Sequence, residues 1–261
     1  MRQRIITAVI GIIIIIPIIL YGNWPFILLA YLLATIGLYE MIRMFKLEHT
    51  YFYFIFCTIF LWALMYSKQP LFDLTFTFTT MNVIVFFMVI LLLMMVITKN
   101  KFSFDQASRL LLTTLFLAFS FQYVITLRLI SLEAFLFILF TIWVTDSGAY
   151  FIGKKFGKRK LWPAISPNKT IGGALGGILF AILLAVLFQW IAPFDKSLLS
   201  VVLIAITISI FGQLGDLVAS AIKRNYKIKD FGSIFPGHGG VLDRLDSFLF
   251  ILLMMQMVNY F

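Results

Sequence analysis

LLSVVLIAITISIFGQLGDLV (Leu198–Val218) runs almost directly into SAIKRNYKIKDFGSIFPGHGGVLDRLD (Ser220–Asp246), and a second apolar run then follows to the end of the chain. The first stretch carries a single charge, Asp216, and as a helix it is long enough to cross a ~30 Å hydrocarbon layer. The second is a charged island between two such segments. Its Lys223, Arg224, Lys227 and Lys229 can meet phosphate charge, and Asp230, Asp243 and Asp246 can hold a hard cation. Between them, Pro236-Gly237-His238-Gly239-Gly240 forms a turn whose backbone N–H groups a ligand can approach closely, because glycine has no Cβ in the way. Cation, phosphate and membrane already narrow the chemistry.

The rest of the chain follows the same pattern. Of 261 residues, 62% are hydrophobic and 12% charged, and the mean hydropathy of +1.04 is more apolar than a water-soluble core of this length can bury. Apolar runs read at Ile5–Tyr21, Trp24–Ile42, Tyr51–Tyr66, Thr77–Ile97, Leu110–Leu127, Leu132–Phe151, Ile171–Ile191, Leu198–Val218 and Val241–Tyr260. The expected fold is therefore all-α, a polytopic transmembrane helical bundle of about nine spans. Lys and Arg are retained on the cytoplasmic side, and Arg2, Arg4 and the even-numbered connections carry nearly all of them. The exceptions, Lys68, Arg128 and Lys196, fall in predicted outer loops. This predicts a cytoplasmic N-terminus and an outside C-terminus. The net charge of +10 then gathers on the inner face, where it attracts anionic headgroups and nucleotides. No small-residue cleavage site follows Tyr21, so the first span is read as an anchor. Cys57 is the single cysteine and excludes an intrachain disulfide.

Residues 1–130 read as a transmembrane scaffold dense in Ile, Leu and Phe, and 131–261 as the catalytic region of one integral membrane unit. Glu40 and Arg43, spaced i,i+3, read as an interfacial ion pair. In the sixth span, WVTDSGAYFIG places Asp146 shortly before Lys154, Lys155, Lys158, Arg159 and Lys160. An acid at that depth should face protein or a water-filled cavity, and pairing with a loop lysine is the alternative to a chemical role. SPNKT (Ser166–Thr170) offers hydroxyls and Lys169 just before a glycine-rich helix start, as a phosphate-binding turn would. Gly172, Gly173, Gly176 and Gly177 form two overlapping GxxxG patterns, read as a helix-packing seam.

Asp216, Ser220 and Lys223/Arg224 recur along one helical face, and Asp243 and Asp246 share another at i,i+3. Acids from three spans thus arrive at one membrane depth. They would repel one another unless a cation sits between them. The ligand set is oxygen-rich, with His238 the one histidine nearby, and suits Mg²⁺ better than zinc. From Phe248 to Phe261 the apolar run rises only about 21 Å, so Asp243, Arg244 and Asp246 should lie at or just below headgroup level. A lipid phosphate could reach them without leaving the bilayer.

Ser220, Lys223-Arg224, Lys229-Asp230, His238-Gly239-Gly240 and Asp243-Arg244-Leu245-Asp246 together resemble the signature of the phosphatidate cytidylyltransferase (CDP-diacylglycerol synthase) family, with its spacing intact. The resemblance extends through Gly215-Asp216-Leu217, SPNKT and DSGAYFIGKKFGK, roughly residues 140–250. Gly172 departs from it, standing where the family often has Glu or Gln. The resemblance implies transfer of a cytidylyl group from CTP to phosphatidic acid, with Mg²⁺ required and a second, monovalent cation as an option. It implies that Asp216, Asp243, Asp246 and Lys223 carry catalysis, with Asp216 and Asp243 as metal ligands. Asp146, Ser166, Lys169, Ser220, Arg224, His238, Gly239, Gly240 and Arg244 would bind substrate. Membrane lipids but no nucleic acid are the expected partners. A bacterial inner membrane, an active site facing the cytoplasm and a homodimer complete the expectation.

Two rivals fit less well. A transporter would place polar residues at mid-membrane and along a route outward, whereas here the outer halves of the sixth, eighth and ninth spans are apolar. A CDP-alcohol phosphotransferase would carry a DGxxAR-type motif, and an ATPase a GxxxxGK[ST] loop. Neither motif occurs.

Overall fold

The computed structural model of the chain describes residues 2–66, 79–234 and 239–258. Lys68 and His238, both singled out above, lie outside the described residues. Nine helices are described: α1 (Arg2–Tyr21), α2 (Asn23–Met44), α3 (Thr50–Tyr66), α4 (Thr80–Ile97), α5 (Phe104–Ile130), α6 (Leu132–Phe156), α7 (Ile171–Ile191), α8 (Leu198–Asn225) and α9 (Leu242–Val258). Between α6 and α7 lies a hairpin of β1 (Lys160–Trp162) and β2 (Ser166–Thr170). Each helix falls on one of the nine apolar runs, and α7 has the bounds read from the sequence. Among the described residues, α2, α4, α5, α6, α7 and α8 are long and apolar enough to cross a membrane. The chain is an all-α membrane protein. α3 and α9, at 17 residues each, rise only about 25 Å.

The helix boundaries follow from local chemistry. A helix leaves its first N–H groups without intrahelical partners, and hydroxyl side chains accept from them here. Ser131 caps α6 through Ala134 N (3.0 Å), Thr170 caps α7 through Gly173 N (3.1 Å) and Ser197 caps α8 through Ser200 N (3.2 Å). Ser103 and Gln106 form a reciprocal pair at the start of α5, each backbone N–H donating to the other's side-chain oxygen. Within the apolar helices, threonines turn their hydroxyls onto the carbonyl four residues back, as Thr114 does on Leu110 O at 2.8 Å and Thr141 on Phe137 O at 2.6 Å. A hydroxyl satisfied in this way can sit among hydrocarbon.

The chain divides into two compact units, residues 1–126 with 231–242, and residues 127–230 with 243–261. In the first, Leu38, Ile42, Leu61, Leu64 and Met65 are fully buried, and Cys57 with them. Phe60 stacks on Phe87 at 4.3 Å between ring centroids, and Tyr53 on Phe102 at 5.0 Å.

In the second unit, the packing of α6 against α7 is built on glycine. A Cβ on Gly173 would come within 2.7 Å of Ala149 O, one on Gly176 would strike the Ile152 side chain, and one on Gly148 would strike Phe180. The seam read from the GxxxG spacing is therefore a packing seam. Gly172 contributes least to it, since its Cβ would make ordinary contact at 3.4 Å. The opposite face of α7 exposes Leu175, Leu179, Leu183, Val186 and Trp190. This helix is apolar all round, and residue size decides which face packs: small residues turn to protein and large ones to where lipid lies.

Candidate active site

The same device joins α8 to α9. A Cβ on Gly215 would lie 2.7 Å from Phe250 Cβ, and one on Gly212 would lie 2.9 Å from Ile251 Cδ1. With the backbones this close, Lys223 near the end of α8 reaches the first turns of α9. Its Nζ donates to Asp243 Oδ1 at 2.9 Å and lies 3.9 Å from Asp246 Oδ2. The Asp243 side chain is only 4% exposed. Asp246 Oδ1 accepts from Ser247 N at 2.7 Å, which turns its other oxygen toward the lysine.

A second lysine comes from the hairpin. The segment SPNKT, expected as a turn, forms strand β2, paired antiparallel with β1 so that Lys160 lies opposite Thr170 and Trp162 opposite Ser166. Its last residue, Thr170, is the cap of α7, so strand and helix meet without a loop. Lys169, one residue earlier, forms an ion pair with Asp216 of α8 and donates to Gln213 O at 3.3 Å. Arg224 donates from Nε to Ile165 O in the hairpin, at 3.4 Å. Adjacent on α8, Lys223 and Arg224 thus part company, one to the acids and one to the hairpin backbone.

These pairs belong to one electrostatic cluster. Asp146 of α6 feels the charges of Asp216 and Lys169, and Asp246 feels those of Asp216, Lys223 and Asp243. Four carboxylates, Asp146, Asp216, Asp243 and Asp246, therefore stand among two ammonium groups, Lys169 and Lys223. Acids from α6, α8 and α9 are near enough to feel one another's charge. Lys169 is near enough for Asp146 to feel its charge, but the ion pair that this lysine makes is with Asp216. Carboxylate oxygens are the donors that Mg²⁺ takes. Among the described residues, no three such side chains converge closely enough to hold a metal ion by themselves.

The other expected site residues are placed less tightly. Ser220 is half-buried on α8 between Asp216 and Lys223, Ser166 is half-buried at the start of β2, and Arg244 is exposed on α9. Gly239 and Gly240 belong to the first unit. Gly239 has φ 84, a left-handed conformation that glycine adopts without strain.

Two residues to which the sequence reading gave no part in the site make long-range hydrogen bonds. Gln213 donates from Nε2 to Ala174 O on α7 and to Ser209 Oγ, both at 3.3 Å, and offers its backbone carbonyl to Lys169. An amide inside an apolar span, three residues before Asp216, was the signal available. Glu40 is the other. It is 2% exposed while Arg43 is exposed, and its carboxylate accepts the backbone N–H groups of Val241 and Leu242 at 2.9 and 3.0 Å. The expected role as half of an interfacial ion pair gives way to that of a buried acceptor for backbone far along the chain.

The chain is similar to known proteins along nearly its whole length. Residues 2–261 match the model of a family described as the cytidylyltransferase family. The chain is 41% identical over 255 residues to a phosphatidate cytidylyltransferase of Bacillus subtilis (strain 168), covering 97% of this chain and 95% of that protein. It is 38% identical over 252 residues to one from Staphylococcus haemolyticus, covering 97% and 96%. A third, from Staphylococcus saprophyticus, is 36% identical over 255 residues, with the same coverage of 97% and 96%.

Proposed function

Because this chain belongs to the cytidylyltransferase family, we propose that it is a phosphatidate cytidylyltransferase, forming CDP-diacylglycerol and pyrophosphate from CTP and phosphatidic acid. The observation that carries this reading is the cluster of Asp146, Asp216, Asp243 and Asp246 interleaved with Lys169 and Lys223. A phosphate oxygen of the lipid attacks the α-phosphorus of CTP. The new P–O bond forms as the bond to the bridging oxygen breaks, and pyrophosphate leaves. The attacking phosphate is already an anion, so little general-base help is needed. The protein's task is to align the two anions in line and to offset their charge.

Asp216 and Asp243 would hold Mg²⁺, with Asp246 in support, and the cation would neutralise charge on the triphosphate. Lys169 and Lys223 pair with Asp216 and Asp243 in the free enzyme, and in this reading their ammonium groups would meet phosphate oxygens of the substrates. Arg224 and Arg244 add positive charge at the rim. The run of basic connections supports a reading in which this cluster faces the cytoplasm from a bacterial inner membrane, with nine spans, the N-terminus inside and the C-terminus outside. The family resemblance favours a homodimer.

Purified protein in detergent, given phosphatidic acid, CTP and Mg²⁺, should release pyrophosphate. Substitution of ATP for CTP should not support release. Absence of release from a folded sample, or release that does not require the lipid, would overturn the assignment.

A further inference from the structure

Glu40 lies near the C-terminal end of α2, yet it touches backbone 201 residues further along the chain. Its two carboxylate oxygens divide the work, Oε1 accepting from Val241 N and Oε2 from Leu242 N, where α9 begins. Gly232 and Gly240 press on the same carboxylate, so closely that a Cβ on either would collide with it. One buried acid therefore touches the backbone at both ends of the stretch from Gly232 to Gly240 and at the two residues after it.

The physical reason for a carboxylate at this point is specific. A buried charge is costly unless it is hydrogen-bonded. The first N–H groups of a helix are unpaired donors at the positive end of its dipole. An acid placed there satisfies both needs at once. The two glycines matter because the carboxylate occupies the space where their side chains would be, not because of an unusual φ.

We infer that Glu40 is a positioning residue for the reaction: it anchors the backbone that leads from Gly240 into Asp243 and so sets where that carboxylate begins. The inference rests on the cytidylyltransferase reading. Glu40 touches no reacting group. It acts through Val241 and Leu242, the latter bonded directly to Asp243.

The test is a set of variants measured per mole of folded protein. Glu40→Gln keeps the shape but turns an NH₂ group toward one of the two N–H donors. Its kcat should fall on the order of 10- to 100-fold, the scale of an ångström-level misplacement of a catalytic group, while KM for CTP changes little. A role in filling space alone predicts wild-type kcat for this isosteric change, and that result would overturn the inference. Gly232→Ala supplies a second route. It should lower kcat in the wild-type background but add nothing in Glu40→Ala, where the space has been vacated; equal losses in both backgrounds would also overturn it. Backbone amide exchange at Val241 and Leu242 reads the anchor without turnover. Exchange should quicken in Glu40→Gln, and unchanged protection would refute the anchor. If wild-type protein shows no CTP-dependent turnover, the activity reading falls and the positioning role falls with it, while a change in exchange would still establish the anchor.

Discussion

Lys223 Nζ lies 2.9 Å from Asp243 Oδ1, joining the end of α8 to the start of α9, and neither side chain is more than 14% exposed. An ion pair this buried is not primarily a source of stability, because taking both charges from water offsets most of their attraction. Removing one partner is another matter, since it leaves the other charge buried without its close counter-ion.

Lys223→Met should therefore lower stability by about 3 kcal/mol and abolish turnover, whereas Lys223→Arg should retain a folded protein with reduced activity. Thermal unfolding in detergent beside pyrophosphate release separates the two effects. Full activity in Lys223→Met would remove this lysine from the catalytic set.

Asp216→Asn and Asp243→Asn should each lower kcat by at least about 100-fold, the scale on which loss of a charge-stabilising group acts, with the helical circular dichroism unchanged. Turnover that survives in either variant would take that residue out of the proposed metal ligands.

Chelation by EDTA should abolish activity, and Mg²⁺ should restore it. Ca²⁺, with its looser coordination and longer bonds, should restore little. Undiminished turnover in excess EDTA would contradict the carboxylate–Mg²⁺ assignment for Asp216 and Asp243.

The α6–α7 seam supplies a stability prediction with an internal control. Gly173→Ala puts a methyl group 2.7 Å from Ala149 O, a backbone atom that cannot move aside cheaply, and should destabilise by about 1–3 kcal/mol. Gly172→Ala meets backbone at 3.4 Å and should be tolerated. Equal melting temperatures for the two variants would mean that the helices are not held at this separation.

What could be read along the chain was whatever is local. Apolar runs place helices because each stretch must satisfy its own backbone in hydrocarbon, whatever lies beside it. All nine runs became helices, and the spacing of Asp216, Ser220 and Lys223, or of Asp243 and Asp246, survives because a helix has a fixed pitch. SPNKT misled because five residues carry too little periodicity to separate a strand from a turn. Its pairing with Lys160–Trp162 depends on how the chain returns.

By itself, then, the sequence determined the class of fold, the order of the helices and the set of acids and bases that the helices carry. Only the tertiary structure decided which lysine meets which acid: Lys169 goes to Asp216 across 47 positions, and Lys223 to Asp243 across 20. It alone turned Glu40 from half of an expected interfacial ion pair into a buried acceptor for Val241 N, 201 residues away. The reason is that hydropathy and helical pitch act over a few residues, whereas a charge pairs with whatever packing brings within about 4 Å, and here glycines without side chains fix that packing.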